Sequence, residues 1–112
     1  MLPKAQRLRA RKDFDALWKR GRSVYGHALG IRFTETRRRT ARFGVVAGLK
    51  VSKRSVERNR IRRRIREALR REFAPRIKGY DVAVLARPGS ARRSYDEVVS
   101  ELAELFRRAR LL

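Results

Sequence analysis

Residues 58–71 read RNRIRRRIREALRR, and eight of these fourteen residues are arginine. A helical period places apolar side chains on one stripe and cations on the opposite side. The sequence predicts a helix from about 55 to 73, because each fully buried Ile or Leu contributes about 1.5–3 kcal/mol while each like-charged i, i+4 pair opposes the helix by roughly 0.2–0.5 kcal/mol. The stripe consists of Ile61, Ile65, Ala68 and Leu69, and the opposite side of Asn59, Arg62, Arg63, Arg66 and Arg70.

Strand patterns flank this helix on both sides. Residues 42–51, RFGVVAGLKV, form a nearly continuous apolar run that predicts a strand buried on both faces. Residues 81–87, DVAVLAR, predict a second strand, which ends before Pro88-Gly89. A helix between two strands usually makes them parallel neighbours, with a right-handed crossover as the default.

The segment before residue 42 predicts a short helix and an extended region. RKDFDALWKR, residues 11–20, places Phe14, Leu17 and Trp18 on one helical face, and Gly21 stands where a C′ glycine belongs. Residues 22–35 alternate as a strand, which Gly26 bends or splits into two. The basic stretch TRRRTA, residues 36–41, fits a hairpin connection.

The last predicted element is a helix from about 95 to 110, which begins with a capping-box pattern over Ser94–Glu97. The predicted order is therefore α-β-β-β-α-β-α in one domain, residues 1–112, with a basic arm over residues 1–9 that is either ordered or disordered. The apolar stripe of the last helix consists of Val98, Val99, Leu102, Leu105, Phe106 and Ala109.

The charge balance points to a polyanionic partner. Thirty-two Lys and Arg residues stand against eleven Asp and Glu, a formal net charge of +21 in 112 residues. Nucleic acid is the usual partner of such a domain, and nonspecific adhesion or an anionic membrane surface is the alternative. The chain has no cysteine, which fits a reducing, cytoplasmic setting. It has no apolar run of membrane-spanning length, and no apolar segment follows the basic N-terminus as in a secretory signal.

The outer side of the 55–73 helix has two interpretations. It is either a solvated face, with arginine chosen for helix propensity, or a rigid surface that fits a phosphate backbone. A face selected for solubility would mix carboxylates among its cations, and this one does not. Asn59 adds an amide that can bond phosphate oxygens, base edges or 2′-hydroxyls.

No residue set for protein-based catalysis is recognisable. His27 is the only histidine, which excludes a two-histidine mechanism. The carboxylates are scattered, and those of the last predicted helix are explained by helix capping and i, i+4 pairing: Asp96, Glu97, Glu101 and Glu104. Neither metal-ligand spacing nor a phosphate-binding glycine loop is present.

At this point the sequence resembles the protein subunit of bacterial ribonuclease P. Its signature matches Glu57-Arg58-Asn59-Arg60-Ile61-Arg62-Arg63, and the similarity extends over nearly the whole chain. The other matching segments are Leu8-Arg9 with Lys12-Asp13-Phe14, Gly21 with Ser23, Arg42-Phe43-Gly44-Val45, and Asp81 through Gly89.

The resemblance implies an α+β two-layer sandwich of the ribosomal protein S5 domain 2-like type, with a left-handed β-α-β crossover. It also implies an endoribonuclease in which a large RNA carries the catalysis and removes the 5′ leader of precursor tRNA. The partners would be the ribonuclease P catalytic RNA and precursor tRNA, with no membrane and no obligate protein partner. The cofactor would be Mg²⁺, held mainly by the RNA, and no organic cofactor is implied.

The resemblance also assigns residue roles, and none of them is catalytic. Residues expected to bind the catalytic RNA are Arg58, Asn59, Arg60, Arg62, Arg63, Arg66, Lys50, Lys53 and Arg54. Residues expected to bind the leader are Phe14, Trp18 and Arg32, although core packing is the alternative for the two aromatic residues. Two positions depart from the family: Leu49 stands where a basic residue is common, and Arg32 where an aromatic residue is common. The metal-binding residues stay unassigned.

Two further functions remain as hypotheses. One is a structural RNA-binding protein of ribosomal type, which would have one RNA surface and no leader groove. The other is a DNA-binding helix, which is disfavoured because no helix-turn-helix surrounds residues 55–73.

Overall fold

A computed structural model describes residues 2–112 as three α-helices and four β-strands in the predicted order. Short helical turns lie at Lys4–Gln6 and Ser90–Arg92, and a π-helical turn, Leu69–Phe73, extends α2 to the predicted end of that helix. The elements are α1 (Arg11–Arg20), β1 (Arg22–Tyr25), β2 (Leu29–Glu35), β3 (Arg42–Val46), α2 (Ser55–Ala68), β4 (Tyr80–Ala86) and α3 (Tyr95–Arg108).

The four strands form one sheet in the order β1-β2-β4-β3. The β1–β2 and β2–β4 pairs are antiparallel, whereas β3 and β4 are parallel neighbours joined through α2, as the strand–helix–strand pattern predicts. In the register, Ile31 lies opposite Val84, and Val84 lies opposite Val45.

The prediction that residues 42–51 form a strand buried on both faces is confirmed only for the first part of this range, where Phe43 and Gly44, on opposite faces of β3, are buried. The strand lies at the edge of the sheet and ends at Val46, whose side chain is 39% exposed. The apolar run continues past the strand into a turn that contains Gly48 and Lys50, so its length overstates the strand. Burial on both faces extends further in β4, where Val82, Ala83 and Val84 are fully buried.

The main core lies between one face of the sheet and the helices α2 and α3. The predicted apolar stripe of α2 is confirmed, because all four of its side chains are buried there. The α3 helix begins with the predicted capping box, in which Ser94 accepts from the Glu97 N–H and the Glu97 carboxylate accepts from the Ser94 N–H. These hydrogen bonds lower the pKa of Glu97. Core side chains include Leu29, Ile31, Phe33, Val82, Val84, Leu102, Leu105 and Phe106.

A smaller apolar cluster on the opposite face of the sheet holds α1. Leu17 of α1 is buried against Leu8 and Ala83, and Phe14 packs beside them. The alternation along β2 explains this arrangement, since Gly30 and Arg32 point away from the face that carries Ile31. The helix α1 therefore lies on the opposite side of the sheet from α2 and α3.

Two glycines are required by close packing. Gly21 ends α1 as predicted, but its backbone is extended, with φ −75°, and not left-handed as in the usual C′ glycine. A Cβ at Gly21 would lie 2.4 Å from the Leu17 carbonyl oxygen, which explains why only glycine fits. A Cβ at Gly26 would lie 2.5 Å from a Glu101 carboxylate oxygen, and this residue separates β1 from β2 as predicted.

The basic segment over residues 2–9 is packed against the sheet. Leu2 and Leu8 are buried, with exposed fractions of 5% and 3%. The Arg7 Nε donates to the Leu2 carbonyl (2.7 Å), and the Leu8 N–H donates to the Phe43 carbonyl of β3 (2.9 Å). Met1 lies outside the described residues. Within residues 2–112, no helix is long and apolar enough to cross a membrane.

We predict that Glu101→Ala destabilises the fold. The Glu101 Oε2 accepts from the N–H groups of Ala28 (2.9 Å) and Leu29 (2.7 Å), and both residues are buried. An unpaired buried donor costs about 1–3 kcal/mol, so the free energy of unfolding should fall by at least about 1 kcal/mol. Urea unfolding at fixed salt measures it. The control is Glu104→Ala, which removes an exposed carboxylate of the same helix without such bonds in residues 2–112. Equal stability of the two variants would contradict this assignment.

Candidate nucleic-acid interface

The outer surface of α2 presents three arginines that are free to bind a ligand. Arg60, Arg63 and Arg66 are exposed, and their guanidinium groups donate no hydrogen bond to any atom of residues 2–112. They are held on a rigid helix by the buried stripe on its other side. Their donors therefore point to solvent at fixed spacing.

Two other predicted RNA-binding arginines also hold the chain together. The Arg58 Nη1 donates to the Ser52 carbonyl (2.8 Å). Arg62 donates to the Ala47 carbonyl (2.7 Å) and to the Asn59 Oδ1 (2.9 Å). These bonds fasten the loop over residues 47–54 to α2 and leave the Asn59 amide N–H groups available.

The remaining predicted RNA-binding residues lie on that loop. Lys50, Lys53 and Arg54 are all exposed, together with Leu49 (70% exposed) and Val56 (59%). The structure thus brings all nine predicted RNA-binding residues to α2 and the loop that precedes it. We call this surface the α2 face: Lys50, Lys53, Arg54, Arg58, Asn59, Arg60, Arg62, Arg63 and Arg66.

An ion pair stands at the C-terminal end of the α2 face. Glu67 accepts from the Arg70 guanidinium, and this hydrogen bond lowers the pKa of Glu67. The charge of Arg70 is therefore balanced by a neighbouring carboxylate. Within residues 2–112, Arg60, Arg63 and Arg66 have no such ion pair.

An aromatic groove lies on the other side of the sheet, beside α1. Phe14 and Trp18 are in edge-to-face contact, with ring centroids 6.2 Å apart and planes at 65°. Together with Asp15, Lys19 and Val46 they line a groove of about 410 Å³. We call this the aromatic groove. Phe14 is half-buried against the sheet backbone, whereas Trp18 is 47% exposed, which plain core packing does not explain.

Arg32 of β2 binds the C-terminal end of α1. Its Nε donates to the Leu17 carbonyl (2.9 Å), its Nη2 to the Trp18 carbonyl (2.6 Å) and its Nη1 to the Ser23 Oγ (2.8 Å). A cation that pairs with the last carbonyls of a helix stabilises the helix C-terminus. Arg32 does not line the aromatic groove, and its assignment as a leader-binding residue stays a prediction.

A second arginine links α1 to the sheet at its N-terminal end. Arg42 of β3 bonds both carboxylate oxygens of Asp81 (2.9 and 2.7 Å) and one oxygen of Asp13 in α1 (3.1 Å). The hydrogen bond with Asp81 is the main cause that raises the pKa of Arg42. Since these side chains are largely buried, the contact fixes the orientation of α1 and of the aromatic residues it carries.

A third aromatic residue, Tyr25, lies on the groove side of the sheet and was not among the predicted site residues. Tyr25 is 51% exposed and lies over Gly30, where a Cβ would be only 2.6 Å from its ring. The Arg87 guanidinium carbon lies 5.1 Å from the Tyr25 ring centroid, and its Nη1 donates to the Gly26 carbonyl (2.7 Å). The alternation of β1, which places Ser23 and Tyr25 on one face, was the available signal.

The α2 face and the aromatic groove meet at the C-terminal end of β3. Val46 lines the groove, and the next residue, Ala47, accepts a hydrogen bond from Arg62 of the α2 face. The two surfaces, which lie on opposite sides of the sheet, therefore have contacts at consecutive residues of the chain.

Metal ligands do not come together in residues 2–112. No group of three His, Cys, Asp or Glu residues in this part of the chain is arranged to hold an ion. His27, the only histidine, is exposed between β1 and β2.

Comparison with known proteins identifies a consistent set of relatives. The family model described as Ribonuclease P matches residues 2–110. The ribonuclease P protein component of Symbiobacterium thermophilum is 38% identical over 113 residues, covering 99% of this chain and 96% of the relative. That of a Cyanothece species is 34% identical over 129 residues, covering 100% and 98%.

Solved structures of similar proteins have the same fold. The RNase P protein of Staphylococcus aureus superimposes with a TM-score of 0.85 at 25% identity, covering 96% of this chain and 98% of the other. The RNase P protein of Thermotoga maritima superimposes with a TM-score of 0.81 at 29% identity, covering 91% and 96%.

We predict that Arg32→Met loosens the C-terminal end of α1. The carbonyls of Leu17 and Trp18 lose their donor, at a cost of about 1–3 kcal/mol. Acrylamide quenching of Trp18, the only tryptophan, should increase, and amides near residue 20 should exchange faster with solvent. Arg22→Met is the control, because exposed Arg22 donates no side-chain hydrogen bond within residues 2–112. Quenching that matches the control would show that Arg32 does not brace the helix.

Proposed function

The chain belongs to the ribonuclease P protein family, and on that premise we propose that it binds the catalytic RNA through the α2 face and the 5′ leader of precursor tRNA in the aromatic groove. In this family the protein is a subunit of an endoribonuclease that uses metal ions. The observation that carries the proposal is the junction at Val46 and Ala47, where the two surfaces meet.

The α2 face has the properties of a phosphate-binding surface. Arg60, Arg63 and Arg66 have no protein partner within residues 2–112, so binding an RNA backbone costs no internal ion pair. Each phosphate that they neutralise releases condensed counterions, which drives association at low salt. Lys50, Lys53 and Arg54 add charge on the adjoining loop, where Leu49 replaces the basic residue common in the family.

The aromatic groove has the properties of a single-strand binding surface. Base stacking on an aromatic side chain is worth about 1–3 kcal/mol per base and tolerates any sequence. Trp18 presents an exposed ring, Phe14 supports it, and Lys19 supplies a cation at the rim. We include Tyr25 and Arg87 in the proposal, since they extend this face of the sheet beyond Leu85.

The chemical step belongs to the RNA in this proposal. Mg²⁺ would be held mainly by the RNA, since the described residues do not bring together a set of metal ligands. The protein contributes binding and orientation: the α2 face positions the catalytic RNA, and the groove retains the leader beside it. A cytoplasmic location is part of the same proposal and fits a chain without cysteine.

A structural RNA-binding protein of ribosomal type is the alternative, and the comparisons do not favour it. That function requires one RNA-binding surface and gives no reason for an exposed tryptophan on the far side of the sheet. Cleavage of a 5′-extended precursor tRNA at low Mg²⁺ separates the two functions. Ribonuclease P RNA alone, protein alone and the mixture are compared. Cleavage at the mature 5′ end by the mixture only is expected, and an inactive mixture would contradict the proposal.

We predict that Arg60→Ala weakens binding of ribonuclease P RNA. The log–log salt dependence of the association constant should become shallower by about 0.7–0.9 for each lost phosphate contact. Arg107→Ala is the matched control, since Arg107 is also an exposed helical arginine without a side-chain hydrogen bond in residues 2–112, but lies on α3. The slope is measured by filter binding. A slope change shared by both variants would reflect net charge alone.

We predict that Trp18→Ala weakens binding of precursor tRNA to the holoenzyme and leaves mature tRNA binding unchanged. The loss should be about 1–3 kcal/mol, the value of one base stack. Trp18→Phe retains a stacking surface and should retain most of the affinity. Equal losses for precursor and mature tRNA would mean that Trp18 does not contact the leader, and urea unfolding of each variant identifies a folding defect.

A further inference from the structure

The basic loop between β2 and β3 takes part in neither surface described above. Its sequence TRRRTA, residues 36–41, contains three exposed arginines. Arg38 borders a depression of about 560 Å³, which the N-terminal segment and the start of α1 complete. The depression is lined by Lys4, Ala5, Arg7, Arg9, Ala10, Asp13, Arg38 and Arg42.

The charge in this depression is unbalanced. Asp13 is the only carboxylate in its lining, and Arg42 already pairs with it and with Asp81. The other four cations, Lys4, Arg7, Arg9 and Arg38, form no ion pair within residues 2–112. Cations gathered without a counterion repel one another, so an anion that enters the depression is favoured by all four.

The N-terminal segment presents its cations from a fixed position. Leu2 and Leu8 are buried, and Arg7 donates to the Leu2 carbonyl through Nε, while its two terminal amino groups make no hydrogen bond to residues 2–112. A guanidinium held in this way suits the paired oxygens of a phosphate. No aromatic side chain lines the depression, so it offers no stacking surface for a base. The matching ligand is therefore a phosphate of the nucleic-acid backbone, bound without regard to sequence.

The depression is continuous with the α2 face. Arg7 and Arg9 also border a neighbouring cavity of about 480 Å³, and Arg66 of α2 lines its other side. Cationic side chains thus run from α2, over the N-terminal segment at the edge of β3, to the β2–β3 loop. Among the described residues that line these two cavities, Asp13 is the one carboxylate, and it pairs with Arg42.

We propose that Lys4, Arg7, Arg9 and Arg38 form a second phosphate-binding site, which holds the backbone of the RNA bound on the α2 face. The proposal rests on the proposed function for the identity of that RNA. In this proposal the N-terminal segment and the β2–β3 loop also bind RNA phosphates, in addition to the residues of α2.

The test compares two double variants with the same change in net charge. Arg9→Gln/Arg38→Gln removes two exposed cations of the site, whose guanidinium groups donate no hydrogen bond within residues 2–112. Arg92→Gln/Arg107→Gln removes two equally exposed arginines outside it. The salt slope of ribonuclease P RNA binding should fall by about 1.4–1.8 for the first variant, two phosphate contacts, and much less for the second. Equal slopes would overturn the proposal.

A second measurement locates the RNA without altering the site. Because the chain has no cysteine, Thr40→Cys provides a single attachment point for an iron chelate that cleaves nearby RNA. Thr40 is exposed beside the arginines of the loop, and Ser100→Cys on α3 provides the distant control. Cleavage of ribonuclease P RNA from position 40 and not from position 100 is expected. If the chelate at position 40 cleaves the RNA no more than the chelate at position 100, the proposal is overturned.

These outcomes are distinguishable from failure of the proposed function. If Arg60→Ala reduces the salt slope and Arg9→Gln/Arg38→Gln does not, the second site is wrong while the α2 face stands. If neither variant reduces it, both assignments fail. Urea unfolding of the double variants shows whether a change in RNA binding arises from a change in folding.

Discussion

The side chains of Ile61, Ile65 and Leu69 are fully buried between α2 and the rest of the core, and this contact allows the helix to carry an uncompensated cationic surface. Each buried side chain contributes about 1.5–3 kcal/mol, whereas each like-charged i, i+4 pair costs roughly 0.2–0.5 kcal/mol. Burial therefore exceeds repulsion even when several arginine pairs are summed. The helix therefore forms with its arginines on the outer side before any partner is present.

Arginine serves two different purposes in this chain, and only the structure separates them. Arg32 and Arg42 point inward and connect α1 to the sheet at its two ends, through helix carbonyls in one case and carboxylates in the other. Arg60 and Arg63 point outward and are uncommitted within residues 2–112. A guanidinium suits both roles because its donors form a rigid planar fork. The arginines of the first kind orient the aromatic groove, and those of the second kind form the α2 face.

Elements with local signals were predictable from the sequence. The apolar stripe of α2 repeats at helical spacing, and the capping box of Ser94 and Glu97 marks the start of α3. Both helices were therefore predicted. The position of β3 at the sheet edge was not, because an apolar run has the same appearance in an edge strand and in a central one. Gly21 shows a related difficulty: its small size is needed for contact with Leu17, not for a left-handed conformation.

In the candidate site, too, residues that are close in sequence were predictable, whereas residues that only the tertiary structure brings together were not. The nine residues of the α2 face are close in sequence, so one helix and its preceding loop bring them together. The role of Arg32 depends on α1 crossing β2, and that of Tyr25 on the register of β1 against Gly30, neither of which a linear pattern contains. The depression beside Arg38 depends on contacts between residues about thirty positions apart, from the N-terminal segment to the β2–β3 loop.

The bond from the Leu8 N–H to the Phe43 carbonyl has a consequence for assembly. β3 is an outer strand, and its free edge would present unpaired peptide groups to any other extended chain. The N-terminal segment lies along that edge in the parallel sense, where Arg7 bridges to Phe43. The N-terminal segment thus covers the Phe43 end of this edge with the chain's own residues, and that part of β3 is not open to strand addition from another molecule.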